Sequence, residues 1–157
     1  MRTTMYLIIG ILCMLFLSCS SMKTDPEKIK EVSMKVESND FTIDVTTANP
    51  LRGKQIHLSY GYDLRIKNDS AIAFLPYFGV ARSAPYGGGE GGIKFAEPMR
   101  EYTSLPNKKG NGWDIKFKVN THPYNYEVSV NVFNNGSSTI YVSSYERDPI
   151  TFNGTVK

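Results

Sequence analysis

Seventeen residues, Pro76 to Gly92, gather most of the side chains in this sequence that can meet a ligand: Pro-Tyr-Phe-Gly-Val-Ala-Arg-Ser-Ala-Pro-Tyr-Gly-Gly-Gly-Glu-Gly-Gly. Tyr77, Phe78 and Tyr86 offer flat amphipathic faces, and Arg82 offers a planar cation. Gly87 and Gly88 let a backbone or a ligand approach closely. Such a set suits binding of a sugar, a peptide or an anionic group. A segment this long without a hydrophobic period exceeds the usual connection, and long loops are often functional. The competing reading is architectural: the aromatics plug one end of the fold and the glycines make tight turns. The glycine run is not a phosphate loop, because no Gly-Lys-Ser/Thr follows it and it leads into a strand pattern rather than a helix N-terminus.

Catalytic constellations are missing from the rest of the chain. The two histidines, His57 and His122, fall on the polar parity of a strand and beside Pro123 in a turn, so both read as solvated surface residues. No nucleophile elbow, zinc-binding His-Glu-x-x-His or calcium-loop spacing occurs. A glycosidase pair needs only that the fold bring two acids about 5–10 Å apart, which linear spacing does not reveal. Arg147-Asp148-Pro149 reads as a structural turn, with the ion pair either buried or exposed. Asn68, Asn135 and Asn153 each begin an Asn-x-Ser/Thr triplet and read as turn or strand residues. The expectation is a non-enzyme with no catalytic set, metal site or cofactor.

The N-terminus carries an address. Arg2 precedes an uninterrupted apolar run, Leu7 to Leu17, and Ser18 stands immediately before Cys19. This is the layout of a secretory signal, and the run is shorter than the roughly 20 residues a membrane span needs. Phe16-Leu17-Ser18-Cys19 resembles a bacterial lipobox, which makes residues 1–18 a signal peptide, Cys19 the lipid-attachment residue and 19–25 a lipidated tether. Buried acyl methylenes contribute about 0.8 kcal/mol each, so two or three chains hold firmly. Cys13 and Cys19 are the only cysteines, so the mature domain has no thiol for a disulfide, a nucleophile or a metal. Lys and Arg number 18 against 15 Asp and Glu. A surplus so small is no nucleic-acid footprint.

Residues 26–157 read as one β-rich domain. Asp25-Pro26-Glu27 opens a helix, with Ile29, Val32 and Val36 as its apolar stripe, and Ser38-Asn39-Asp40 closes it. From Phe41 the period changes to two. Ile56 to Ile66 alternates over eleven residues, with Gly61 marking a bend or bulge. Ala71–Leu75 places Ile72 and Phe74 on one face. A four-residue loop, Asn120 to Pro123, would set Val119 against Tyr124, Phe117 against Tyr126 and Lys116 against Glu127. After Asn134-Asn135-Gly136, Val132 faces Thr139 across a two-residue turn or Ile140 across a longer loop, and the pattern prefers Ile140. Ile150, Phe152 and Val156 point inward. About eight strands, with weaker ones at Ile93–Phe95 and Tyr102–Leu105, imply an antiparallel β-meander closing into a lipocalin-like barrel with one short N-terminal helix.

Leu75-Pro76-Tyr77-Phe78-Gly79, Ser83-Ala84-Pro85-Tyr86-Gly87-Gly88 with Gly91-Gly92-Ile93, and Val142-Ser143-Ser144 through Arg147 to Gly154 together resemble a family of Bacteroidetes lipoproteins, the domain of unknown function 4251. The resemblance runs from about Glu27 to Val156. It implies a β-rich fold and an envelope location, and brings no catalytic residues. The expected protein is a lipoprotein of the cell envelope, anchored in the outer membrane, acting as a binding or interaction module through Tyr77, Phe78, Arg82, Tyr86, Gly87 and Gly88. Its partners would be an envelope protein, a glycan or a small apolar ligand, and not nucleic acid. The alternative is a lipid or small-molecule carrier with a ligand inside the barrel.

Overall fold

The computed structural model describes residues 25–82, 91–122 and 124–157. Helix α1, Pro26–Glu37, begins as the sequence predicts: Asp25 caps it by accepting a 3.0 Å hydrogen bond from the Glu27 amide, with Pro26 in the first turn. Its stripe docks on the sheet rather than facing solvent, since Val32 and Val36 are buried. Asn39, at φ 50°, turns the chain out of the helix into the first strand.

Ten strands follow: β1 Asp40–Pro50, β2 Ile56–His57, β3 Asp63–Lys67, β4 Ser70–Leu75, β5 Ile93–Pro98, β6 Arg100–Pro106, β7 Gly112–Asn120, β8 Asn125–Phe133, β9 Ser137–Ser143 and β10 Ile150–Val156. They are antiparallel throughout, in the order β5-β4-β3-β1-β10-β9-β8-β7-β6, with β2 on β1. The two ends of that order are consecutive in sequence and joined by Met99 alone. Residues 93–106 therefore form one bent segment that leaves β4 and joins β7, which nearly closes the sheet into a barrel and leaves little open edge. The bend is reinforced by a bulge in which Glu101 takes φ 51° and the β6–β7 register jumps between Arg100 and Thr103.

Inward residues form one continuous cluster, with Phe117, Phe152, Ile43, Leu64, Ile66 and Ile140 among its largest fully buried members. Gly154 is required where β10 crosses β1, since a Cβ there would stand 2.1 Å from the Asp44 carbonyl oxygen. The β1–β10 register shifts between Val45 and Thr47, and strict alternation ends there: Phe41, Ile43 and Val45 are buried on one parity, after which Thr47 and Ala48 are both buried.

Three sequence expectations are corrected and one left open is decided. Ile56 to Ile66 is not one strand: β2 pairs with β1 at Thr47 and Ala48, β3 pairs at Asp44 and beyond, and residues 59–61 loop out with Gly61 at φ 103° and Tyr60 fully exposed. The face of β4 that carries Ile72 and Phe74, whose side the sequence left open, is the outer one, with Ala71 and Ala73 inside opposite the larger Ile66 and Leu64. Outside, Phe74 stacks on Tyr62 at 5.7 Å. The β7–β8 register pairs Val119 with Tyr126, Phe117 with Val128 and Lys118 with Glu127, two residues from the expected partners but with the same faces inward. Tyr124 leaves the ladder to lie against an arginine described below. Finally, Val132 faces Ser138 and Ile140 faces Val130, because Asn134-Asn135-Gly136 makes a three-residue loop with Gly136 at φ 84°.

Candidate functional site

The helix end of the barrel holds α1 beside the Gly136 loop. The opposite end is built by the segments after β4, before β5, between β7 and β8, and between β9 and β10. Two of these brace each other. Ala81 bridges Arg147, the Arg82 amide donates to the Glu146 carbonyl at 2.7 Å, and the Asp148 amide donates to the Val80 carbonyl at 3.1 Å.

That brace directs Arg147 inward, where it is 7% exposed. Its guanidinium carbon lies 3.8 Å from the Tyr124 ring centroid and 4.8 Å from that of Tyr77, a cation held between two aromatic rings. One Nη donates to the Gly92 carbonyl at 3.0 Å. Gly92 allows this because its backbone runs so close to β4 that a Cβ would come within 2.9 Å of the Leu75 carbonyl oxygen. No carboxylate of the described residues pairs with Arg147 within 4 Å, and its buried Nε has no hydrogen-bond partner. Beneath the cage, Tyr126 packs 5.8 Å from Phe95 and 6.1 Å from Tyr124.

Arg147 and Asp148 are both buried, yet they are not each other's partners. Asp148 instead faces Arg52 and Arg82, each 3.9 Å away, and the Tyr77 hydroxyl lies 3.1 Å from both the Asp148 and Val80 carbonyls. Burial, and then the Asp148 charge, raise the Tyr77 phenol above its ordinary range. Burial pushes Tyr126 up to about 12. Both phenols therefore stay neutral near physiological pH and act as rings and hydrogen-bonding groups, not as bases.

The structure thus brings together Tyr77 and Arg82, one within the cage and one exposed above Asp148, and leaves Phe78 at the surface, 37% exposed. Tyr86, Gly87, Gly88 and Cys19 lie outside the described residues. His57 and His122 are exposed, as expected. Sequence reasoning missed the role of Arg147 with Tyr124. The signal available was an arginine between two strands whose neighbours include inward tyrosines, but pairing across 23 positions is not visible in a linear pattern. It also missed a groove of about 390 Å³ beside the cage, lined by Asn120, Asn125, Tyr126, Ser143, Ser144 and Tyr145.

A family model described as "Domain of unknown function (DUF4251)" matches residues 23–156. The fold is similar to the crystal structure of a DUF4251 family protein from Bacteroides eggerthii DSM 20697, with a TM-score of 0.63 at 12% identity, over 84% of this chain and 88% of that one. No curated protein matches the sequence.

Proposed function

The chain belongs to the DUF4251 family, a domain of unknown function, and from that premise we propose that it is a lipid-anchored envelope protein that binds a partner, without catalysis, through the Arg147 end of its barrel. The observation that carries this reading is the caged guanidinium. Burying a charge without a carboxylate partner is costly, and such a cost fits a surface whose shape must be held in advance of contact. Around it the same end exposes Phe78, Arg82 and Tyr145, two aromatic groups and a cation of the kind enriched at contact surfaces. The raised tyrosines and the outward histidines favour binding over acid–base chemistry.

The N-terminal signal and Cys19 support the anchor, and Ser20 after the acylated residue is compatible with the outer membrane. The carrier reading draws less support, because Phe117, Phe152, Leu64 and Ile43 fill inward positions that a carried lipid would occupy. Labelled palmitate incorporated at Cys19, with signal cleavage blocked by globomycin, is the expected result for the anchor. Unlabelled, freely secreted protein would refute it. For the contact face, the detergent-extracted protein is purified with whatever it holds, alongside the Phe78→Ala/Arg82→Ala variant. Loss of the co-purified material is expected, and its undiminished recovery would exclude this end.

A further inference from the structure

We propose that the groove between the β7–β8 hairpin and Tyr145 is a subsite for a neutral, hydroxyl-rich saccharide. The inference deepens the binding reading above and rests on it. At about 390 Å³ the groove falls within the range of small-molecule sites, about 300–1,000 Å³. Its polar groups are of the right kind. The Asn120 and Asn125 carboxamides make no hydrogen bond to any described residue, and each can donate and accept at once. Ser144 lines the same groove with its Oγ buried and without a partner. That oxygen is closed to solvent, so the exposed Asn120 and Asn125 carboxamides are the groups a ligand hydroxyl meets.

One aromatic ring completes the set. Tyr145 lines the groove while remaining 86% exposed, an amphipathic plate on which the C–H face of a pyranose can lie. Charge decides the ligand class. The two ionised groups on the wall, Lys118 and Glu127, lie 3.6 Å apart, and Lys118 is also held 2.7 Å from Glu101. One ammonium shared by two carboxylates leaves a residual negative charge on this wall, which repels an anion, while the uncharged Asn120 and Asn125 carboxamides and the Tyr145 ring select for hydrogen-bonding capacity and a flat apolar face.

The test titrates 15N-labelled protein with three neutral trisaccharides (maltotriose, mannotriose and N,N′,N″-triacetylchitotriose) and with trigalacturonate as an acidic counterpart. At least one neutral sugar is expected to shift the Asn120 and Asn125 side-chain amide signals and the Ser143–Tyr145 backbone amides saturably. Tyr145→Ala should weaken that binding at least about tenfold, equivalent to about 1.4 kcal/mol, with an unchanged thermal midpoint because the ring is exposed. Asn125→Ala should also weaken it. The proposal is overturned if none of the neutral sugars shifts these signals, if Tyr145→Ala binds as well as the parent, or if trigalacturonate binds more tightly than every neutral sugar. Saccharide failure alongside retained co-purification through Phe78 and Arg82 would sink the subsite and leave the binding face standing.

Discussion

Arg147 is the residue on which one end of the molecule turns, and its environment predicts an unusual order of substitutions. Arg147→Lys keeps the charge but cannot lie flat between Tyr77 and Tyr124, and it concentrates that charge on a smaller, more strongly hydrated group. Arg147→Met keeps the apolar stem and its ring contacts, and removes a charge that no carboxylate of the described residues answers. Urea unfolding should therefore show Met costing about 1 kcal/mol and Lys about 2 kcal/mol. The reverse order would mean the positive charge itself stabilises the fold. Tyr126 supplies a second residue-scale prediction. Its folded value, about 12, lies above the ordinary 10. The unfolded chain therefore loses this proton first, and stability falls as pH rises between 10 and 12. The loss should reach about 2 kcal/mol, with Tyr77 and Tyr102, also raised, contributing in the same direction. Tyr126→Phe should flatten the fall in the urea midpoint over that range, and an equally steep fall in the variant would contradict the assignment.

Among the elements, period-two patterning was enough to find nearly every strand and its inner face. β1, β7, β8 and β10 bury the residues their alternation indicates, because a one-sided apolar period has only one stable way to face a core. Partners were less legible. In both C-terminal hairpins a register two residues away keeps the same faces inward, so the pattern alone cannot separate the alternatives. Tertiary demands chose between them: Tyr124 was withdrawn for Arg147, and Gly136 supplied the left-handed position of a three-residue loop. On β4 the alternation showed that Ile72 and Phe74 share a face but not which face is inner, and Ala71, Ala73 and Leu75 turn out to fill the interior. The crossing of β1 and β10 gives the element-scale prediction. Gly154→Ala forces a Cβ against the Asp44 carbonyl and should destabilise the barrel by about 3 kcal/mol, lowering the thermal midpoint by roughly 10 °C. A midpoint within a degree of the parent would show that the two strands can separate there at little cost.

At the scale of the whole molecule, the chain joins its first and last long strands, bends residues 93–106 across the gap, and sets different closures at the two ends. One end takes an amphipathic helix, whose burial of Val32 and Val36 is ordinary core formation. The other takes loops, a caged cation and an open polar groove. Loops carried by a rigid barrel can change without disturbing the core, which is where binding residues concentrate. The candidate site was half legible: the aromatic and cationic loop after β4 stood out by composition, whereas Arg147, Tyr124 and the groove depend on strands distant in sequence. A photo-reactive phenylalanine analogue placed one at a time at Phe78, Tyr145, Met34 and Leu105 in the native envelope tests the asymmetry of the two ends most directly, since all four positions are exposed and the last two lie on or near the helix end. Cross-linked adducts from Phe78 and Tyr145, with none from Met34 and Leu105, are the predicted result. Adducts confined to Met34 and Leu105, or silence at all four positions, would contradict the account.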